Sequence, residues 1–178
     1  MQLFWAKGYE STSLEELCEA TGLARSSLYG AFGDKHRLFV QALARYEDAG
    51  AARLDEVLAR PLPIKAAIGA LLAGVIDNIV AGPGRRGCLI GNSAAELARN
   101  DREVSARVRH SLERVEATFR AALARAQARG EIAADADVDA LARFFTASMQ
   151  GLRLVGKARP ERAVLDDIAR VMLRALDR

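Results

Sequence analysis

Apolar residues recur at three- and four-residue intervals along almost the whole chain, and no stretch between turn signals sustains strand-like alternation, so the pattern predicts an all-α protein. Leu3, Phe4 and Trp5 mark a short first helix ending at Gly8, a residue suited to a left-handed cap. Ser13 followed by Glu16 is a capping box: the serine side chain takes an orphan amide of the first turn and the glutamate returns to the serine amide. It opens a helix with Leu14, Leu17 and Cys18 on one face, which Thr21-Gly22 ends. After a short turn, a second small helix runs from about Arg25 to Ala31, and Gly33-Asp34 breaks and recaps the chain.

A long helix follows from Lys35, with Leu38, Phe39, Ala42, Leu43 and Tyr46 at helical spacing, and continues through Leu54 and Val57 to the break at Pro61-Leu62-Pro63. Ile64 to Val80 reads as an apolar helix closed by the Gly82-Pro83-Gly84 loop, and Cys88 to about Arg99 as another. Asn100 with Glu103 is read as a second capping box, opening a long amphipathic helix that ends at Gly130. Two final helices are expected over roughly Val138 to Gly156 and Glu161 to Leu176, and no internal repeat is visible.

Composition agrees with that picture. With 178 residues, 51% apolar and 28% charged, the chain has the make-up of a folded helical protein long enough to bury a core. The longest nearly uninterrupted apolar stretch, Ala66 to Ile76, falls short of the about 20 residues that span a bilayer, and the start lacks a basic segment followed by an apolar one. No membrane association is expected, and a cytoplasmic location is. Cys18 and Cys88 are too few and too far apart for a disulfide framework or a metal cluster.

Net charge is +3, which suits a polyanionic partner, but its distribution is uneven. Through Asp48, five basic residues face seven acidic ones; the positive excess lies later, for instance at Arg107, Arg109, Arg114, Arg120, Arg125 and Arg129, where a solvated helix face explains it.

Residues 13–32, SLEELCEATGLARSSLYGAF, have the layout of a helix-turn-helix: capped helix, turn with Gly22, second helix. Leu14, Leu17, Cys18, Leu23, Leu28 and Phe32 can make the small core that fixes the two helices. Arg25, Ser26, Ser27, Tyr29 and Gly30 are then left outward at the tip, where a second helix enters a major groove. Other small helical hairpins share this layout.

The run GYESTSLEELCEATGLARSSLYGAFGDKHRLFVQAL narrows the choice. It resembles the DNA-binding domain of the TetR family, marked by Gly8-Tyr9, Thr12-Ser13, Gly22-Leu23, Ser27-Leu28-Tyr29, Phe32 and Gly33-Asp34-Lys35. The resemblance implies a helix-turn-helix DNA-binding domain over residues 1–47, with its N-terminus truncated, and a helical-bundle domain for ligand binding and dimerisation over residues 48–178. It also implies phosphate contacts from Thr12, Ser27, Tyr29 and Lys35. Hydroxyls and an ammonium suit that task because they set register on the duplex without reading bases. For base reading, Arg25 can fork onto a guanine edge for roughly 1–3 kcal/mol of discrimination, with Ser26 beside it. Gly30 and Ala31 would allow close backbone approach or a thymine-methyl contact.

Two departures stand out. Ala24 occupies the cap of the second helix where the family usually has Ser or Thr, a loss typically worth ~1 kcal/mol. The chain also opens inside what resembles the first helix, without the basic arm often found upstream, so reduced DNA affinity is expected of this stretch.

Beyond about residue 48 the resemblance is weaker and rests on fold-level analogy. It implies that the last two helices dimerise two subunits, through Phe144, Ser148, Gly151, Leu152, Ile168, Val171 and Met172. A two-fold pair would set two recognition helices ~34 Å apart on a palindromic double-stranded operator; alternatively, the same apolar stripe packs within one subunit. An effector pocket is expected among the middle helices, with Asn78, Asn92, Phe119, Phe145 and Met149 as candidates, each also a natural core residue. The effector itself is an unknown small molecule.

Cys88 follows Arg85-Arg86-Gly87 at a helix start, where guanidinium charge and helix dipole favour the reactive thiolate. GCLIGNSAAEL is similar to the GCL helix of TetR-type repressors that respond to N-ethylmaleimide, which implies a sensing role for Cys88; a cysteine followed by Leu-Ile also reads as plain core. Cys18 reads as structural, and no metal or other cofactor is expected from His36 or His110. No nucleophile-base pair or P-loop is visible, so an enzyme is not expected. The resulting expectation is a sequence-specific DNA-binding repressor released by a small apolar or electrophilic effector. The alternatives are a redox sensor through Cys88 and a helical interaction module without DNA binding.

Overall fold

A computed structural model describes residues 1–177. Among these there are nine α-helices, one 3₁₀ turn and no strand, as the periodicity predicts. The helices are α1 (Gln2–Lys7), α2 (Leu14–Thr21), α3 (Arg25–Phe32), α4 (Lys35–Leu58), α5 (Ile64–Val80), α6 (Leu89–Glu96), α7 (Arg102–Ala128), α8 (Val138–Ala158) and α9 (Arg162–Arg174). No single helix among the described residues is long and apolar enough to cross a membrane.

The chain forms two compact units, Met1–Ala49 with Leu89–Arg109, and Gly50–Cys88 with His110 onward. In the first, Phe4, Phe39 and Leu43 are buried, and Phe4 meets Phe39 edge to face with ring centroids 5.1 Å apart. Tyr9 closes the cluster, 4.9 Å from the Phe39 ring. Aromatic pairs in this geometry contribute about 0.5–1.5 kcal/mol beyond the area they bury, so this cluster is what seats the short α1, which six residues could not stabilise alone.

In the second unit, α5 is mostly apolar in composition and gives one long face to the core, with Lys65, Asp77 and Asn78 on the exposed side. Ile68, Leu72, Ile76 and Ile79 are buried there with Phe119, Leu123, Phe145 and Leu165 of the surrounding helices. Two glycines allow the packing: a Cβ on Gly156 would stand 2.7 Å from the Ile79 side chain, and one on Gly84 2.7 Å from the Ile79 amide nitrogen. With Pro63 preceding it, α5 has no side-chain cap of its own, and the Glu131 carboxylate accepts the Ile64 amide at 2.5 Å instead.

Several local expectations shift. Gly8 has the positive φ of 86° expected of a cap residue, but its ψ of 174° makes it extended rather than left-handed helical. The cap of α7 is Asp101, whose Oδ1 accepts the Val104 amide at 3.0 Å, and not Asn100 one residue earlier; a charged acceptor satisfies the orphan amide better than a neutral one. Cys88 precedes α6 instead of opening it. Leu23, assigned to the headpiece core, is 39% exposed, because the turn holds it off the α2–α3 contact.

Candidate nucleic-acid interface

Helices α2 and α3 are both set by local chemistry. At α2, Ser13 Oγ accepts the Glu16 amide at 3.2 Å and the Glu16 carboxylate accepts the Ser13 amide at 2.9 Å, completing the capping box. Lys7 also donates to Glu16, so α1 and α2 share that carboxylate, which the lysine hydrogen bond and then the Ser13 amide hold below its ordinary range. Gly22 ends the helix with φ 68° and ψ 14°, the left-handed turn that a side chain would resist.

The following helix α3 begins at Arg25 behind Ala24, which makes no side-chain capping bond, as its residue type dictates. Leu28 is 1% exposed and anchors α3. Around that anchor Arg25, Ser26, Ser27, Gly30 and Ala31 are all exposed, and nothing lies within 4 Å of a Cβ built on Gly30. The Arg25 guanidinium sits 5.7 Å from the centre of the half-buried Tyr29 ring, a cation–π approach that holds two polar side chains together on one side of the helix.

Thr12 differs from the phosphate-contact expectation. It has no exposure, and its Oγ1 donates to the Gly8 carbonyl at 2.6 Å, so the hydroxyl is committed to the turn between α1 and α2. A buried hydroxyl must find such an acceptor, which is why a residue that reads as surface polar ends in the core.

Lys35, at the start of α4, is held rather than free. Its Nζ lies 4.4 Å over the Tyr9 ring and donates to the Glu10 carbonyl at 3.5 Å. An ammonium has three donors, so this arrangement fixes its place and leaves donors to spare. The Tyr9 phenol is pushed above its ordinary 10, first by burial and then by the carboxylates of Glu10, Asp34 and Asp101.

Sequence reasoning missed the long-range pairs that tie this unit together, one of which grips the turn itself. The Glu96 carboxylate, at the end of α6, accepts the Tyr9 amide at 3.1 Å and the Glu10 amide at 2.8 Å. His36 Nε2 meets Asp101 Oδ2 at 2.7 Å, with Glu103 3.7 Å from Nδ1. Arg107 donates to the buried Glu47 at 3.0 Å. No local signal marks such pairs, since their partners lie 60 to 87 residues apart.

The remaining candidates divide. Phe119, Phe145 and Met149 are buried in one apolar cluster, the two rings stacked at 5.7 Å. Asn78 is exposed on the outer side of α5 and does not join them, and Asn92 lies on α6 in the first unit. Of the residues assigned to a dimer face, Phe144 is 39% and Val171 60% exposed, Gly151 is open, and Ser148 and Ile168 are half-buried. Leu152 and Met172 are instead 1% and 3% exposed, on the inward stripes with Phe145 and Met149 and with Leu165 and Ala169, so they face their own core. Leu154, 68% exposed, is the apolar surface residue that the sequence reading passed over. Cys88 is buried at 6% exposure, and the Arg85 guanidinium reaches the carbonyls of Ile79 and Val80 at the end of α5.

Residues 1–42 match the family model described as bacterial regulatory proteins, tetR family, and residues 65–172 the one described as tetracyclin repressor-like, C-terminal domain. The chain is 34% identical over 178 residues to the uncharacterized HTH-type transcriptional regulator YezE of Bacillus subtilis, spanning 99% of this chain and 92% of that one. It is 32% identical to the HTH-type transcriptional repressor ComR of Escherichia coli, over 98% of this chain and 83% of ComR. Among solved structures it is similar to a cysteine mutant of the TetR family transcriptional regulator CifR complexed with 26 bp double-strand operator DNA. That similarity has a TM-score of 0.86 and 31% identity, and covers 98% of this chain and 91% of that one.

Proposed function

The chain belongs to the TetR family of helix-turn-helix transcriptional regulators, and on that premise we propose that it acts as a homodimeric repressor, bound to a palindromic operator and released by a small effector. The observation that carries this reading is the disposition of α3: Leu28 anchors it inside the unit while Arg25, Ser26, Ser27 and Gly30 stand exposed around that anchor. A helix so presented fits a major groove, with Arg25 and Ser26 reading base edges, Gly30 allowing close approach, and Ser27, Tyr29 and Lys35 on phosphates. The operator complex of the similar CifR supports a double-stranded DNA partner, and the repressor ComR supports repression as the outcome.

Dimerisation through α8 and α9 is supported by the apolar side chains they leave in water, Phe144, Leu154 and Val171, beside the open Gly151 that permits close helix approach. Burial of the Cys88 thiol gives no support to a sensing role, since reactive thiols are accessible. The relatives are transcriptional regulators, and DNA binding accounts for the exposed α3 tip without catalysis.

The test is a gel shift and footprint on DNA flanking the chain's own gene. Protection of a palindrome, weakening steeply with salt, is the expected result; absence of binding to any such duplex overturns the reading.

A further inference from the structure

The exposed Glu96 carboxylate has an unusual employment. Both its oxygens accept backbone amides, Tyr9 at 3.1 Å and Glu10 at 2.8 Å, in a turn that no other side chain reaches through those two donors in the described structure. The turn is shaped to admit it. Gly8 holds φ 86°, which a side chain would strain, and a Cβ there would stand 2.8 Å from Glu96 Oε2 and 3.0 Å from Oε1, so a larger residue would also have to displace the carboxylate. Two successive amides converging on an anion form a charge-assisted, bidentate contact.

The peptide that Glu96 grips is also the seat of Lys35. The Tyr9 ring lies 4.4 Å beneath the Lys35 ammonium, and the Glu10 carbonyl accepts from it at 3.5 Å. Tyr9 is in turn packed against Phe39 and His36, and His36 is tied to Asp101 of the segment that follows Glu96. Holding the amides on either side of the Tyr9 Cα therefore restrains both the Tyr9 ring and the adjoining Glu10 carbonyl, the two groups that place the ammonium.

We propose that Glu96 is a positioning residue for DNA binding: it clamps the Gly8–Glu10 turn so that Tyr9 and the Glu10 carbonyl hold Lys35 where a DNA phosphate meets it. This deepens the reading of Lys35 as a phosphate donor and rests on it. Its part is indirect, since both carboxylate oxygens are taken by the Tyr9 and Glu10 amides and a carboxylate offers a phosphate no donor.

Operator affinity of the full chain as a function of salt, for Glu96→Ala, Glu96→Gln, Gly8→Ala, Lys35→Ala and the Glu96→Ala/Lys35→Ala double variant, decides the matter. Glu96→Ala is expected to weaken binding roughly tenfold and to lower the salt slope by up to about 0.9, the signature of one lost phosphate contact, as Lys35→Ala does directly. Glu96→Gln, which keeps a single acceptor oxygen, should recover part of the loss, and Gly8→Ala, which both strains the turn and crowds the carboxylate, should weaken binding at least as much as Glu96→Ala. In the Lys35→Ala background Glu96→Ala should have no further effect, because the two act through one contact.

Trp5 is the chain's one tryptophan, with its ring 5.1 Å from Tyr46, so its emission reports whether α1 stays seated. Unchanged emission with weakened binding is the expected pair. Additive losses in the double variant, tighter or unchanged binding by Glu96→Ala, or a loss that only follows unseating of α1 overturns the inference. Failure of the unsubstituted chain to bind any operator would instead overturn the functional reading beneath it.

Discussion

The Thr12 hydroxyl donates to the Gly8 carbonyl at 2.6 Å from a side chain with no exposure, so the residue before the Ser13 cap closes the α1–α2 turn from inside. With the hydroxyl committed to that carbonyl, its contribution is expected in stability. Thr12→Val keeps the shape and removes the donor, leaving the Gly8 carbonyl short of a partner. A loss of about 1 kcal/mol in unfolding free energy is expected, with the salt slope of operator binding unchanged. A slope that falls by about 0.9 would return Thr12 to the phosphate contacts.

Arg25 and Lys35 should separate by kind of effect. Arg25 is exposed at the first position of α3, steadied by the Tyr29 ring at 5.7 Å. Arg25→Ala should cost about 1–3 kcal/mol against the preferred base pair and flatten discrimination there; Arg25→Lys should not restore it, since an ammonium lacks the planar fork. Lys35→Ala should weaken all sequences alike. Binding to a library of single-base operator variants measures both; uniform loss from Arg25→Ala would refute its role in base reading.

Two glycine-to-alanine changes should move stability in opposite directions. A Cβ at Gly84 would stand 2.7 Å from the Ile79 nitrogen and 2.8 Å from the Asn78 carbonyl carbon, both backbone, so no flexible side chain can yield; Gly84→Ala should cost about 1–3 kcal/mol. Gly50 lies inside α4 with nothing within 4 Å of its Cβ position, and Gly50→Ala should stabilise by roughly 0.5–1 kcal/mol through helix propensity. Denaturant unfolding reads both, and a neutral Gly84→Ala would show that the turn after α5 can shift.

Acid should loosen both units. The Arg129 hydrogen bond and then the Ile64 amide hold Glu131 below its ordinary 4.5, while the Val104 amide and then His36 hold Asp101 below 3.8. Each carboxyl is more acidic folded than unfolded, so its stabilisation is complete above the unfolded value and is lost as pH falls through the folded one. The melting temperature should therefore fall below about pH 4.5, and Glu131→Gln, lower at neutral pH, should fall less steeply. An acid limb of unchanged slope in that variant would remove Glu131 from the account.

What was legible in the sequence was what local chemistry decides. The Ser13–Glu16 box, the glycine after α2 and the Ile64–Val80 helix all stand where the pattern put them, because caps and periodicity act over a few residues. The same locality explains the errors. Asn100 and Asp101 are adjacent cap formers, and besides the better acceptor that a carboxylate makes, the contact with His36 at 2.7 Å favours Asp101, a partner 65 residues away. Glu96 reads as one more polar helix end, since its partners lie 86 and 87 residues away. On α8, periodicity alone does not divide the apolar stripe into an inward part with Leu152, 1% exposed, and an outward part with Phe144 and Leu154, 39% and 68% exposed.

That division of α8 and α9 supplies the sharpest test of assembly. Leu154 is 68% and Val171 60% exposed, so a charge placed there is tolerated by a single chain, whereas the same charge across a two-fold face would be buried opposite its own copy. Leu154→Glu combined with Val171→Glu should leave the melting curve of a dilute sample nearly unchanged, convert the sedimenting species to a single chain, and weaken operator binding by at least about tenfold, because two half-sites are no longer engaged together. Leu152→Glu, by contrast, should unfold the second unit outright, since that side chain is 1% exposed within its own core. A double variant that still sediments as a dimer and binds its operator normally would move the interface off the outward stripes of α8 and α9.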